Sequence, residues 1–257
     1  MNRYQSIAEY YDAENERLEM LRRDVPFFLK QQRKKRCSIL ELCAGTGRAA
    51  IPMTQAGHTV VGIERDPKML AIARRKRDAV GLDDSSLELI EGDVLSINLR
   101  RRFDRVCIFF NTLLAFTTLQ MQDRLLANVC RHLKPNGRFF LDIFHPDHAM
   151  LAERRSRDLE KSVFYVPALD RTVAMSVDVV RDMSRQWMHV TFKYRWFDAS
   201  GRDHHRRASF EMTVIFPREL QLLLERNGLI IEHLWGDYDG SPLQANSPRM
   251  IASCRLA

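Results

Sequence analysis

A glycine-rich turn and three carboxylates are the residues of this sequence whose types and spacing could do chemistry. Residues 45–50 read GTGRAA, which matches G-x-G-x-x-A, the pattern of a tight turn that lets the backbone approach a bound cofactor. Glu41 precedes this turn, and Glu64 and Asp93 follow it. Carboxylates accept hydrogen bonds from hydroxyl, amino and ammonium groups. The sequence therefore predicts a cofactor site in which acidic side chains surround a glycine turn.

The charge beside the turn distinguishes two classes of cofactor. A dinucleotide would place a pyrophosphate at the N-terminus of the following helix, where amide donors and the helix dipole favour an anion. The carboxylate of Glu41 would tend to repel that pyrophosphate. S-adenosylmethionine carries a sulfonium and an ammonium and no phosphate, so the charge pattern favours it as the cofactor. A nicotinamide-dependent oxidoreductase is the distant alternative, and a purely structural glycine turn is the third.

Alternating strands and helices are predicted to position these residues. Apolar strand-like segments lie at 37–42, 58–64, 87–90, 103–110 and 138–144, with helical patterns at 66–81 and 120–133 between them. This order predicts an α/β fold with a doubly wound, Rossmann-like, mostly parallel sheet and helices on both faces. Ligands of such sheets bind at the carboxyl ends of the strands. Glu41, Glu64 and Asp93 lie at or near three such ends.

The pattern changes in the second half of the chain. Strand-like stretches at 172–180, 187–197 and 207–216 follow one another with a turn signal between the last two. They predict an antiparallel β insertion at 162–216 that acts as a substrate lid. Residues 1–36 are predicted to form an N-terminal helical cap, with a helix that begins at Asp24. The remaining segments, 37–161 and 217–257, would form the cofactor-binding domain.

Composition limits the class of protein. The 257 residues contain five cysteines and no CxxC pair, so neither a zinc site nor a disulfide framework is indicated, and no metal is expected. The absence of a signal-like or membrane-spanning apolar run predicts a cytoplasmic protein with no membrane partner. The net charge of +7 comes largely from basic runs at 33–36, 74–77, 100–102 and 154–155. These runs are interpreted as solvated surface, with an anion-binding face as the alternative.

Four motifs together resemble those of class I S-adenosylmethionine-dependent methyltransferases of the bacterial small-molecule type. Residues 39–48 (ILELCAGTGR) resemble the first motif of that family, and 61–64 (VGIE) with 66–70 (DPKML) the second. Residues 91–94 (EGDV) resemble the adenine-binding motif, and 133–138 (LKPNGR) the turn before strand five. The resemblance covers roughly residues 36–145 and implies the same fold, cofactor and activity. Cys43 departs from it, because the family commonly has glycine or alanine there.

By this resemblance, one group of residues surrounds the methionine part of S-adenosylmethionine. It comprises Glu41, Gly45 and Gly47 around the glycine turn. Phe110 and Asn111, just past the fourth strand, would approach the amino group of the cofactor.

A second group is implied to hold the adenosine part. Glu64 would accept hydrogen bonds from both ribose hydroxyls, and Arg65 beside it belongs to the same site. Asp93 would accept from the adenine amino group, and Met69 and Val94 would enclose the ring.

Two residues outside these motifs are candidates for catalysis. An N-terminal helix, with Ser6 as its predicted N-cap, contains Tyr10-Tyr11-Asp12, which resembles a segment that closes over the cofactor. Tyr11 is the candidate there, and the alternative is a helix that packs its aromatic face on the core. His145, just past the fifth strand, is the candidate general base, and a structural or solvent-exposed histidine is the alternative. A base is needed only where the acceptor must lose a proton.

The acceptor is predicted to be a small molecule that is methylated on nitrogen or oxygen. Its specificity should reside in the insertion and in residues 235–242 (WGDYDGSP), because the motifs of the sheet are committed to the cofactor. Residues 111–114 read NTLL where methyltransferases of nucleic-acid amino groups often carry Asn-Pro-Pro-Tyr. Nucleic acid is therefore an unfavoured partner, although an RNA- or protein-directed methyltransferase remains the second hypothesis. The oligomeric state is left open.

Overall fold

The computed structural model describes residues 7–32 and 36–257. The predicted N-cap Ser6 and most of the basic run at 33–36 lie outside these ranges. No helix in the described part of the chain is long and apolar enough to cross a membrane.

A seven-stranded sheet forms the centre of the molecule, in the order β10-β11-β5-β4-β1-β2-β3. Strands β1 to β5 pair in parallel, and β11 is antiparallel to both β5 and β10. Their inner residues are buried on both faces, which is why these strands read as continuous apolar runs. The strands are β1 (Ser38–Leu42), β2 (Thr59–Glu64), β3 (Leu87–Glu91), β4 (Phe103–Ile108), β5 (Leu133–Phe144), β10 (Leu229–Trp235) and β11 (Arg249–Leu256).

Helices cover this sheet and confirm the Rossmann-like prediction. The α-helices are α1 (Ala8–Asn15), α2 (Asp24–Lys30), α3 (Ala50–Gln55), α4 (Pro67–Ala79), α5 (Leu119–His132), α6 (His148–Ala152) and α7 (Pro217–Arg226). Short 3-10 helices lie at Glu19–Arg22, Thr112–Ala115 and Pro167–Leu169. The predicted turn at 134–137 is absorbed into β5, where the pairing with β4 is irregular.

A separate antiparallel sheet follows α6, in the order β6-β7-β8-β9. It has four strands, of which the first begins at Arg155, so the expectation of an antiparallel β insertion is confirmed. The strands are β6 (Arg155–Val166), β7 (Arg171–Asp182), β8 (Trp187–Phe197) and β9 (Asp203–Thr213). Most residues in the first half of β6 are exposed and charged, so this half lacks the alternation of apolar and polar residues that predicts a strand. The pairing of β6 with β7 also shifts in register twice.

The two N-terminal helices pack against different sheets. Tyr10 of α1 lies in the core of the antiparallel sheet, where its ring stacks on Tyr194 at 4.8 Å. Phe27 and Phe28 of α2 pack against Phe140 of the parallel sheet. This segment therefore joins the two sheets.

Candidate active site

A cavity of about 1150 Å³ lies where the carboxyl ends of the parallel strands face the antiparallel sheet. Ten of the twelve predicted site residues line it: Tyr11, Gly45, Glu64, Arg65, Met69, Asp93, Val94, Phe110, Asn111 and His145. Glu41 and Gly47 do not line it; both are buried, Glu41 near the end of β1 and Gly47 in the turn that follows.

The turn after β1 has left-handed backbone at three positions. The φ angles of Gly45 and Gly47 are +57° and +76°, a region that glycine enters without penalty. Cys43 has φ +61°, a region that residues other than glycine seldom adopt. Cysteine at this position therefore differs from glycine both in size and in the backbone strain that it carries. This strained cysteine lies on the cavity wall.

Glu64 is held in place by backbone amides. Its two carboxylate oxygens accept from the N–H of Gly45 at 2.9 Å and from the N–H of Asp66 at 2.7 Å. Each oxygen retains further acceptor capacity. Burial raises the pKa of Glu64, and the backbone donors oppose that shift. The arrangement orients a carboxylate toward the cavity, as a pair of ribose hydroxyls requires.

Glu41 is buried with unused hydrogen-bonding capacity. It is 4% exposed, and its Oε2 has no hydrogen-bond partner in the described part of the chain. Burial raises its pKa to about 8, although nearby Arg48 acts in the opposite direction. A cationic cofactor beside this carboxyl would favour its ionised form, whereas a pyrophosphate would not. The acceptor groups of the site therefore fit S-adenosylmethionine.

The wall beyond β2 and β3 suits an aromatic ring edged by a polar group. Asp66 caps α4 by accepting from the N–H of Lys68 and of Met69. Met69 and Val94 are 3% and 5% exposed and line the cavity. The carboxylate of Asp93 accepts from its own loop at the N–H of Leu95, 2.9 Å away.

Two consecutive residues after β4 adopt left-handed backbone. Phe110 and Asn111 have φ of +51° and +61°. Asp142 of β5 holds both, since its side chain accepts from the N–H of Phe110 at 2.8 Å and its carbonyl from that of Asn111 at 3.1 Å. The amide oxygen of Asn111 accepts from the N–H of Phe144 at 2.7 Å. Asn111 thus lines the cavity while its side chain fixes the strand ends.

Asp142 is also the centre of a buried network that sequence reasoning missed. Its Oδ2 accepts from the hydroxyl of Tyr238 at 2.6 Å and pairs with the guanidinium of Arg249. Burial, with the Asp142 charge beside it, raises the pKa of Tyr238 well above its usual range. The signal was an acid inside the apolar run at 138–144, where a buried charge needs a partner.

The N-terminal segment divides its three polar residues between the two sheets and the cavity. Tyr10 is fully buried, as the core-packing alternative requires, whereas Tyr11 lines the cavity. Burial raises the pKa of Tyr11 to about 12. Asp12 accepts from the hydroxyl of Thr46 at 2.6 Å and pairs with Lys76 at 2.9 Å. Helix α1 is therefore attached directly to the glycine turn.

His145 lies at the cavity edge, with its Nδ1 2.9 Å from the carbonyl oxygen of Ser247. Two other histidines have contacts of their own: His148 stacks on Phe216, and His204 pairs with Asp198. Within residues 7–32 and 36–257, no group of three or more His, Cys, Asp and Glu side chains could hold a metal ion.

Known proteins match both the sequence and the fold. A family model described as a methyltransferase domain matches residues 39–137. A cypemycin N-terminal methyltransferase from Streptomyces sp is 27% identical over 214 residues, which are 83% of this chain and 81% of that protein. The dTDP-3-amino-3,4,6-trideoxy-alpha-D-glucopyranose N,N-dimethyltransferase of Streptomyces venezuelae is 24% identical over 225 residues, covering 88% of this chain and 89% of that one.

Among solved structures, the CcbJ methyltransferase from Streptomyces caelestis superimposes with a TM-score of 0.79 at 22% identity, over 100% of this chain and 98% of that chain. This similarity extends to the whole fold, including the antiparallel sheet. Motifs and matched domain agree that the chain is an S-adenosylmethionine-dependent methyltransferase, and its motifs and fold resemble those of class I.

Proposed function

We propose that this enzyme transfers the methyl group of S-adenosylmethionine to a nitrogen or oxygen of a small molecule held under the antiparallel sheet. The observation that carries this proposal is the continuity of the cavity. It extends from Glu64 and Asp93 at the parallel strands to Val177, Val190 and Phe192 on the inner face of the antiparallel sheet. Two relatives have names that describe methylation of a peptide N-terminus and of an amino sugar.

The residues around the cavity have separate proposed roles. S-adenosylmethionine supplies an electrophilic methyl group, so alignment of the acceptor provides much of the rate. Nδ1 of His145 must donate to the Ser247 carbonyl, since a carbonyl only accepts, which leaves Nε2 of the neutral ring free to take a proton. Tyr11, whose pKa is about 12, keeps its proton and orients by hydrogen bonding.

The RNA-directed alternative rests on the charge of +7. A platform for single-stranded RNA needs exposed aromatic rings among available basic groups. On β8, Tyr194 is 1% exposed, and Lys193 and Arg195 are paired with acidic residues of the same sheet. These pairings argue against an RNA platform and favour a sheet that covers a small acceptor.

Transfer of labelled methyl groups to metabolite pools, RNA and protein lysate tests the proposal. We expect labelled small molecules, and calorimetry should show binding of S-adenosylmethionine and none of NAD. Val190→Trp, which adds bulk to the inner face of the lid, should abolish transfer and leave cofactor affinity unchanged. Val163→Trp is the control, because Val163 is 67% exposed on the same sheet. Labelled RNA, with activity that falls steeply with salt, would overturn the proposal.

A further inference from the structure

One arginine of the cavity wall is buried without a counter-charge. Arg181 lies at the end of β7 and is 5% exposed. It follows Val177 and Val179 on the buried face of the strand, and all three line the cavity. A guanidinium removed from water is costly unless a negative charge compensates it.

Two other arginines at the site have that compensation. Arg48 binds Asp24 through both terminal nitrogens, at 2.7 and 3.0 Å, and Arg249 pairs with Asp142. For Arg181, no carboxylate forms an ion pair within the ranges 7–32 and 36–257. Its link to an acid is indirect: Nη1 donates to the backbone carbonyl of Glu153 and to the hydroxyl of Ser156, which in turn donates to the Glu153 carboxylate.

The hydrogen bonds of Arg181 use one edge of its guanidinium. Nη1 donates to the carbonyl of Glu153 at 2.9 Å and to the hydroxyl of Ser156 at 2.7 Å. Nε is buried and has no partner in the described structure. The other edge of a guanidinium is formed by Nε and Nη2. Arg195 of the same sheet shows how this edge binds a carboxylate: its Nε lies 3.0 Å from Oδ1 of Asp203, and its Nη2 lies 2.9 Å from Oδ2.

We propose that Arg181 binds an anionic group of the methyl acceptor, a carboxylate or a phosphoryl group, through its Nε–Nη2 edge. This inference rests on the proposed function, because it assigns the acceptor to the same cavity. Two parallel hydrogen bonds from one guanidinium edge match the spacing of oxygens in both anions. The anion would supply the missing counter-charge and hold one end of the acceptor against the apolar wall of the lid.

Titration of the protein with inorganic phosphate and, separately, with acetate tests this site. The Nε–Hε resonance of Arg181, identified by its loss in Arg181→Lys, should shift saturably with at least one of the two anions, and the tighter one indicates the class. Arg181→Lys keeps the positive charge but loses the two parallel N–H donors. In this variant the anion is followed by the shifts of other resonances of the cavity, and we expect at least tenfold weaker binding. Arg185→Lys is the matched control, since that side chain is 73% exposed on the same sheet. An unmoved Arg181 resonance would overturn the proposal, and so would equal affinity in Arg181→Lys.

The labelled-methyl screen separates this inference from the proposed function. We expect the small acceptor to carry an anionic group, and its KM to rise at least tenfold in Arg181→Lys with a smaller change in kcat. A neutral acceptor whose KM is unchanged by the substitution would leave the proposed function standing and refute the anion site. Anion binding at Arg181 without any small acceptor would refute the proposed function instead.

Discussion

The two sheets contribute opposite kinds of surface to one cavity. At the carboxyl ends of the parallel strands, polar side chains such as Glu64 and Asp93 are fixed by hydrogen bonds from backbone amides. On the antiparallel sheet, apolar side chains such as Val179 and Val190 line the cavity, and Glu160 and Arg181 are the charged residues that line it with them. Hydrogen bonds from the loops fix the positions of the polar groups, whereas the apolar wall can select a ligand only by the shape of the space it leaves.

This difference explains what each region can recognise. A cofactor that is the same in every member of a family can be held by fixed acceptors at strand ends. An apolar wall accepts many molecules of similar size, so its selectivity depends on a few charged groups. The lid should therefore tolerate substitutions that the strand ends do not.

The largest expected effect is on stability, at the strand ends. Asp142→Asn removes the counter-charge of Arg249, which is 4% exposed, and weakens the support for Phe110. Loss of one partner of a buried ion pair should lower the free energy of unfolding by about 3 kcal/mol. Urea denaturation followed by circular dichroism measures it. Glu232→Gln, which breaks the more exposed pair with Arg138, should cost under about 1 kcal/mol. Equal losses of stability in the two variants would show that the buried Asp142–Arg249 pair contributes no more than an exposed ion pair.

A second effect is expected on cofactor affinity. Glu64→Ala should weaken binding of S-adenosylmethionine by about 1.5–3 kcal/mol for each charged hydrogen bond to a ribose hydroxyl that is lost. Isothermal calorimetry gives the dissociation constant. Glu91→Ala is the control, because Glu91 pairs with Glu64 in the sheet but is exposed and does not line the cavity. An unchanged dissociation constant in Glu64→Ala would mean that this carboxylate only holds the backbone of the glycine turn and does not bind the cofactor.

A third expected effect is a dependence of stability on pH in the absence of cofactor. The pKa of Glu41 is about 8 in the folded protein, above the value of about 4.3 for an unfolded chain. Between these values the folded state binds the extra proton, so the contribution of Glu41 to stability is present at low pH and is lost as pH rises toward 8. Urea unfolding at several pH values should show a flatter profile for Glu41→Gln than for Glu91→Gln. Parallel profiles for the two variants would show that Glu41 ionises normally.

Local patterns were sufficient for the cofactor region. The turn at 45–50 and the acids Glu41, Glu64 and Asp93 follow strands whose order determines which ends meet, and ten of the twelve predicted residues line one cavity. The remaining two, Glu41 and Gly47, are buried and do not line it. The roles assigned to these residues by resemblance stay predictions, as does the division of the chain into domains.

Sequence alone determined the class of fold, the cofactor and the position of the glycine turn, because each follows from residues close together in the chain. Tertiary structure decided the rest. The first half of β6 was recognised only through its pairing with β7, since most of its residues are charged and exposed. The partners of Asp142 come from β11 and from the loop before it, about a hundred positions away. The missing partner of Arg181 is likewise a fact of packing, because a charged residue in a strand has an exposed or a buried environment only once the neighbouring elements are in place.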